Sequence, residues 1–207
     1  MTDRMWIAHV PYPESTGRLR VLYDRVKGPE DRVDNIMLAH SLRPHSMEGP
    51  MALYKSVLHH SGNSLPKWLL ETLGVYVSML NVCRYCVEHH VEGLRRLLAD
   101  DARASAIRNA LEDHAAFGAT FDAKEAAALE YARMLTLAVS DSAALAAVVA
   151  TLRASGVDDG QILEINQVVA YFNYANRTVL GLGITVRGDV LGLSPQNAES
   201  PDDWSHR

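Results

Sequence analysis

Apolar residues recur at the spacing of an α-helix along nearly the whole chain, and runs of β-branched residues are few. This spacing gives each helix one apolar face, and it leaves no segment that needs to be a strand. We therefore predict an all-α fold, a bundle of helices. The predicted helices cover about 15–26, 33–42, 45–60, 65–80, 82–99, 102–113, 122–137, 141–156 and 158–180.

Caps and breaks divide the predicted helices. Ser64 is a candidate N-cap for the helix that follows it, and Asp122 with Glu125 has the spacing of a capping box. A break near Asn81 separates the two helices at the centre of the chain. Residues 114–120 are predicted to form a loop, and 184–207 a partly ordered arm.

The composition bounds the class of protein. The 207 residues can bury one substantial core, so we predict a single domain over 1–207, with its core in 15–186 and a tail at 187–207. The net charge is −5 and no Lys/Arg-rich run is present, so we expect no nucleic-acid partner. The sequence shows neither a signal-peptide pattern nor a membrane-spanning stretch, which predicts a cytoplasmic protein with no membrane partner.

The only two cysteines, Cys83 and Cys86, lie three residues apart. On a helix this spacing brings two side chains to about 5–6 Å on one face, within reach of a disulfide. In a reducing compartment, a C-x-x-C pair is more often catalytic or metal-binding than structural. The pair therefore predicts a redox site or part of a metal site.

His90 and Glu71 extend the pattern to E-x11-C-x2-C-x3-H. His90 is one helical turn beyond Cys86 on the same face, where it can take the thiol proton. Glu71 belongs to the preceding helix, and a carboxylate often orients a catalytic histidine. The helix N-terminus and His90 are expected to lower the pKa of Cys86.

Two other interpretations compete with the redox site. Each residue can be structural, since a free cysteine often serves as a small buried apolar side chain. A zinc site needs four ligands and would have to recruit His89, Glu88 or a distant histidine such as His59 or His60. Because structural zinc sites seldom lack a second ligand pair, we predict no metal.

The sequence also contains a weak internal repeat of this pattern. Glu164 precedes a long apolar helix as Glu71 does, and Asn176 stands twelve residues after Glu164 where Cys83 stands twelve after Glu71. This suggests a duplicated helical unit in which only the first copy keeps the thiols.

The quartet Glu71, Cys83, Cys86 and His90 resembles the signature of the alkylhydroperoxidase D-like superfamily, which includes the carboxymuconolactone decarboxylases. The resemblance is closest to the peroxidase-related branch and covers about residues 15–186, through RLRVLYDRV, NVCRYCVEHH and ILEINQVVAYFNYANRTVLGLG. It implies an all-α bundle that assembles into homo-oligomers.

The resemblance also implies a chemistry. Cys86 would attack a hydroperoxide substrate, Cys83 would resolve the sulfenate into a disulfide, His90 would act as base and Glu71 would end the proton relay. An external dithiol would then reduce the disulfide. Apart from this redox-active Cys83–Cys86 disulfide, no cofactor is expected.

One position departs from the family pattern. The best-studied branch has a histidine immediately before the second cysteine, and here that residue is Tyr85, a poor base near neutral pH. Slower peroxidase activity or another substrate is therefore expected. The last helix offers Tyr171, Asn173, Asn176 and Arg177 either as pocket residues or as packing and interface residues.

Three classes of function stay open. A thiol peroxidase or disulfide reductase needs both cysteines, whereas a decarboxylase or lactone-type enzyme on the same fold needs neither. A non-catalytic redox sensor would keep the cysteines without needing Glu71 or His90. The complete quartet favours the first class, an oxidoreductase acting on peroxide.

Overall fold

The computed structural model describes residues 3–113, 117–195, 197, 200 and 203–207, and α-helices dominate them. In chain order the helices are α1 (Gly17–Val26), α2 (Asn35–Leu38), α3 (His45–His59), α4 (Lys67–Leu80), α5 (Arg84–Leu98), α6 (Asp101–Glu112), α7 (Phe117–Thr120), α8 (Ala123–Leu137), α9 (Ser142–Ala154) and α10 (Asp159–Leu182). The one extended pairing within these residues is an isolated bridge between Pro195 and His206. The all-α prediction is confirmed.

Two short segments differ from the predicted bounds. The helix predicted over 33–42 is limited to α2, and tight turns continue the chain to residue 43. The predicted loop at 114–120 lies partly outside the described residues, and its second half forms α7. This short helix is held by apolar packing, since Phe117 contacts Tyr76 and Phe121 with ring centroids 5.7 and 5.6 Å apart.

Helix α4 lies at the centre of the bundle, packed against α5, α8 and α10. Every residue from Leu69 to Ser78 is buried, as expected for a helix that is apolar on all sides. Two of its polar side chains are satisfied within the helix, because Thr72 donates to the Trp68 carbonyl and Ser78 to the Gly74 carbonyl. Its buried carboxylate, Glu71, needs a partner from another helix.

A side chain from α10 holds the segment just before α4. Pro66 occupies the N-cap position and makes no side-chain cap, so the predicted cap by Ser64 is wrong. The Glu164 carboxylate of α10 instead accepts hydrogen bonds of 2.9 Å from the Ser64 backbone N–H, the Ser64 hydroxyl and the Leu65 backbone N–H. Glu164 therefore fastens α10 to the beginning of α4.

The turn between α4 and α5 sets the position of the cysteines. Val82 adopts a left-handed backbone conformation (φ 56°), while the Cys83 N–H bonds the Ser78 carbonyl at 2.8 Å and the Val82 N–H bonds the Met79 carbonyl at 2.9 Å. This is a Schellman arrangement with valine where glycine is usual, so the turn is strained. It places Cys83 at the N-cap position of α5 and Cys86 in the first turn, as the break near Asn81 predicted.

The described part of the C-terminal tail, predicted as a partly ordered arm, packs against the bundle. Trp204 and His206 are buried, and the Arg25 guanidinium lies 3.7 Å over the Trp204 ring. The Lys55 ammonium donates hydrogen bonds to the carbonyls of Ser200 and Asp203. None of the described helices is both long and apolar enough to cross a membrane.

The close approach of α4 and α10 at Gly74 gives a test of this packing. A Cβ at Gly74 would lie 2.2 Å from Phe172 Cζ, so Gly74→Ala is expected to lower the free energy of unfolding by about 1–3 kcal/mol through overpacking. Urea denaturation measures the change. The control is Gly181→Ala on α10, where no atom lies within 4 Å of the added Cβ and a gain of up to about 1 kcal/mol is expected. Similar losses in both variants would contradict the assignment.

Candidate functional site

The two cysteine sulfurs lie next to each other without a disulfide. Cys83 Sγ and Cys86 Sγ are 3.2 Å apart, and both residues are buried. A covalent S–S bond is about 2.05 Å long, so only a small side-chain movement separates this dithiol from a disulfide. The Asn176 amide, which donates to the Ser78 hydroxyl at 3.1 Å, reaches the same sulfurs from α10.

The contact between the sulfurs makes their acidities different. The hydrogen bond between the two sulfurs lowers the pKa of Cys83 despite its burial, and the Cys86 backbone N–H and Asn176 act in the same direction. The same hydrogen bond, with burial and the charge of Cys83, raises the pKa of Cys86 well above its ordinary value. The lowered pKa expected for Cys86 is therefore wrong for the reduced pair.

Glu71 and His90 form the hydrogen bond that joins α4 to α5. Glu71 Oε2 lies 2.8 Å from His90 Nδ1, and both side chains are largely buried. Burial by itself raises the pKa of Glu71, but the charge of His90 and the hydrogen bond to it, helped by Lys67, hold that pKa below its ordinary value. Because Nδ1 faces the carboxylate, Nε2 is the ring nitrogen left to accept a proton.

Cys86, His90 and Glu71 share one cavity of about 60 Å³. Tyr54 also lines it, with its ring centroid 6.2 Å from that of His90. His206 from the C-terminal tail also lines the cavity and stacks on Tyr54, with ring centroids 6.4 Å apart and an angle of 9° between the ring planes. Cys83 is not among the lining residues, so only one of the two sulfurs faces the cavity.

A second cavity of about 220 Å³ adjoins the first and shares Glu71, Gly93, Gly192 and Ser194 with it. Lys67 and Arg96 also line this outer space. Its lining therefore brings cationic side chains next to the thiol cavity.

The four predicted pocket residues divide into two pairs. Tyr85 and Tyr171 line the thiol cavity, and burial raises the pKa of Tyr171. Asn173 and Asn176 do not line it. Both accept hydrogen bonds from the Asn81 amide, at 3.1 and 3.0 Å. These two asparagines therefore hold the α4–α5 turn against α10, while Arg177 donates to Asn173 at the surface.

Tyr85 belongs to a buried polar network. Its hydroxyl donates to Asp189 Oδ2 at 2.8 Å, and His89 Nε2 lies 3.3 Å from the same oxygen. Asp189 also accepts from the Asn35 backbone N–H at 3.1 and 3.2 Å. Burial, and after it the negative charges of Asp189 and Asp34, raises the pKa of Tyr85 well above its ordinary value. Tyr85 is thus a fixed hydrogen-bond donor and a poor carrier of protons at neutral pH.

Asp34, just before α2, is a cavity residue that the sequence did not single out. Burial raises its pKa to about 7, with His89 lowering it and Asp189 raising it further. No hydrogen bond or ion pair reaches its carboxylate from any residue that the structure describes. Three other titratable lining residues from outside the recognised quartet were also missed as pocket residues: Tyr54, His89 and His206. The adjacency of His89 to His90 was the one available signal.

The described part of the chain has no preformed metal site, because no three or more of its His, Cys, Asp and Glu side chains are arranged to hold an ion. His59, which the zinc interpretation would recruit, is buried with no hydrogen-bond partner for either ring nitrogen. Burial lowers its pKa to about 3, so its ring is neutral.

The carboxymuconolactone decarboxylase family model matches residues 44–134, from the start of α3 to near the end of α8. This segment contains the complete quartet, and the match confirms the superfamily resemblance inferred from those four residues. No curated protein matches the chain.

Solved structures share the fold over nearly the whole chain. An uncharacterized peroxidase-related protein with an alkylhydroperoxidase AhpD core from Ralstonia eutropha JMP134 is 20% identical, with a TM-score of 0.73 over 91% of this chain and 95% of that one. An uncharacterized peroxidase-related protein from Silicibacter sp. TM1040 is 21% identical, with a TM-score of 0.70 over 89% of this chain and 92% of that one.

A third structure has a different described activity. It is a variant of the debrominase Bmp8 in complex with 2,3,4-tribromopyrrole, 15% identical, with a TM-score of 0.63 over 91% of this chain and 93% of that one. At these identities the three structures show a common fold, and the chemistry must be argued from the residues.

The raised pKa of Asp34 gives a pH test of the site. A carboxyl group whose pKa is about 7 when folded and near its ordinary 3.8 when unfolded stabilises the protein at low pH and loses this contribution as pH rises through about 7. We therefore compare the unfolding free energy of the Asp34→Asn variant with that of the unmodified protein by urea denaturation. The value for the variant minus the value for the unmodified protein is expected to increase as the pH rises from acidic to mildly alkaline. Asp101→Asn, at an exposed position, is the control. A constant difference for Asp34→Asn would contradict the assignment.

Proposed function

We propose that this protein, whose residues 44–134 belong to the carboxymuconolactone decarboxylase family, is a thiol-dependent peroxidase that reduces hydroperoxides with Cys83 and Cys86. The observation that carries the proposal is the pair of free sulfurs 3.2 Å apart, one of which faces a cavity shared with His90. Family and fold support a peroxidase-related or related enzyme, and the adjacent thiols favour redox chemistry within that range.

The first step is assigned to Cys86 because it lines the cavity and Cys83 does not. The Cys86 thiol passes its proton to His90 Nε2, whose orientation Glu71 maintains through Nδ1. The resulting thiolate attacks the outer oxygen of the hydroperoxide, the O–O bond breaks, and Cys86 becomes a sulfenic acid while the peroxide leaves as an alcohol. The raised pKa of Cys86 makes removal of its proton the demanding part of this step.

The second step uses the neighbouring sulfur. Cys83 has the lowered pKa of the pair and lies 3.2 Å away, so it is already placed to attack the sulfenic acid. Water leaves and a Cys83–Cys86 disulfide forms. An external dithiol then restores the two thiols by exchange. Such a cycle fits a cytoplasmic enzyme, since that compartment supplies reduced thiols.

We also propose that the protein is a homo-oligomer. Leu163 and Tyr174 lie on one exposed face of α10 and are 60% and 46% exposed. Leu137 and Val139, at the end of α8, are 57% and 64% exposed. Exposed apolar side chains in such number favour burial against another subunit.

Variants of the two cysteines test the order of the steps. Cys86→Ser is expected to abolish peroxide consumption. Cys83→Ser is expected to leave the first oxidation intact, because it removes the neighbour that raises the pKa of Cys86, and then to accumulate sulfenic or sulfinic acid at Cys86. Mass spectrometry of the protein after peroxide addition distinguishes these products. The reverse pattern would assign the attack to Cys83.

His90→Ala serves as the companion variant and is expected to slow the first oxidation by about 10²–10⁴-fold, as for loss of a general base. If both cysteines of the unmodified protein stay reduced in peroxide, the peroxidase proposal fails. A peroxide-independent activity would then favour the decarboxylase or lactone-type alternative, and reversible oxidation without turnover would favour a redox sensor.

The oligomer is tested by light scattering at micromolar protein concentration. A mass that is a multiple of 22.8 kDa is expected, and Tyr174→Glu should reduce it by placing a charge in the interface. Glu88, which lies on α5 and makes a 3.8 Å ion pair with Arg84, offers a control through Glu88→Gln. A mass near 22.8 kDa for the unmodified protein would rule out a stable oligomer.

A further inference from the structure

The proposed peroxidase step needs an acid as well as a base. When the O–O bond of an alkyl hydroperoxide breaks, the departing oxygen is an alkoxide, a strong base that leaves slowly unless it receives a proton. His90 accepts the Cys86 proton in the same step, and Tyr85 is a poor proton donor because its pKa is raised and its hydroxyl already donates to Asp189. Among the described residues that line the cavity, Asp34, His89 and His206 are the remaining candidates for the second task, and burial lowers the pKa of His206 to about 4, so its ring carries no proton to give near neutral pH.

Asp34 is placed for that task. It lines the same cavity as Cys86 and His90, although it comes from the segment before α2. Its carboxyl group has no hydrogen-bond or ion-pair partner in the described chain, whereas the nearby Asp189 carboxylate accepts from Tyr85 and from the Asn35 backbone N–H. The carboxyl group of Asp34 is therefore available to a molecule bound in the cavity.

The surroundings of Asp34 keep a large fraction of it protonated near neutral pH. Burial raises its pKa to about 7, and the negative charge of Asp189 adds to this effect against the opposing influence of His89. A carboxylic acid with a pKa close to the working pH can both give and regain a proton.

We propose that Asp34 is the general acid that protonates the leaving oxygen when Cys86 attacks an alkyl hydroperoxide. The inference rests on the proposed peroxidase function. In the step, the Cys86 sulfur forms a bond to the outer oxygen and loses two electrons, and the O–O bond breaks. The alkoxide takes the Asp34 proton and leaves as an alcohol. The proton that His90 received from the thiol returns to Asp34 through cavity water, so that one thiol and one hydroperoxide give one sulfenic acid and one alcohol.

The dependence on the leaving group tests this role. Stopped-flow measurements follow oxidation of the reduced full-length protein by tert-butyl hydroperoxide, which releases an alkoxide, and by peroxyacetic acid, which releases acetate. Acetate needs no proton to depart. Asp34→Asn is expected to slow the reaction with tert-butyl hydroperoxide by about 10²-fold or more and to change the reaction with peroxyacetic acid by less than about threefold. Asp34→Glu, which keeps the carboxyl group, should recover part of the rate.

Each outcome has a defined meaning. Equal slowing with both oxidants would overturn the acid role and assign Asp34 to structure, and unchanged rates would overturn it as well. If Asp34→Asn fails to fold, the oxidation rate of the unmodified protein is measured instead with a series of hydroperoxides whose leaving groups differ in acidity. A weak dependence of rate on that acidity supports an acid in the site, and a steep one overturns it. Failure of the unmodified protein to react with any oxidant would instead reject the peroxidase function itself.

Discussion

A carboxylate inside an apolar helix needs a partner, and the partner of Glu71 determines the arrangement of the site. Glu71 lies in the part of α4 where every neighbouring residue is buried, and its hydrogen bond to His90 Nδ1 satisfies it. Removing one member of a buried charged pair commonly costs about 3–5 kcal/mol. The pairing therefore fixes the register of α4 against α5, and with it the position of Cys86, one turn before His90.

The strained turn at Val82 and the asparagines of α10 support this register from the other side. Asn81 donates to both Asn173 and Asn176, and Asn176 in turn donates to Ser78. These bonds connect the end of α4 to α10 and hold the backbone that carries Cys83. A polar network between α4 and α10 thus fixes the positions of the two sulfurs. On the opposite side, Cys86 faces a cavity whose lining includes several aromatic side chains.

The quartet was predictable because its members are close in sequence and lie on two consecutive helices. Helical spacing places Cys83, Cys86 and His90 on one side of α5, and a short turn brings Glu71 beside them. Asp34 and His206 could not be found in this way, because they reach the cavity from segments distant in sequence. Their positions depend on tertiary packing, for which no local pattern exists.

Two rules derived from single helices did not hold. The cap expected from Ser64 is absent because Pro66 is the N-cap residue of α4, and the Glu164 carboxylate of α10 binds the N–H groups of Ser64 and Leu65 just before the helix. The helix N-terminus was expected to favour a thiolate at Cys86, but the contact with Cys83 and the burial of Cys86 raise its pKa. In the first case a contact from another helix holds the segment before α4, and in the second a contact between two sulfurs of the same turn disfavours the thiolate.

The depth of the sulfurs has a consequence for how the protein would exchange electrons with its surroundings. Cys83 has no exposed surface, Cys86 is 4% exposed, and the cavity in front of them measures only about 60 Å³. Bulky disulfides such as oxidised glutathione cannot bring a sulfur into line with either thiol through so small a space, and exchange requires that approach. The external dithiol that reduces the Cys83–Cys86 disulfide in the proposed cycle must therefore be slender enough to present its sulfur through the cavity, which excludes glutathione as the direct reductant.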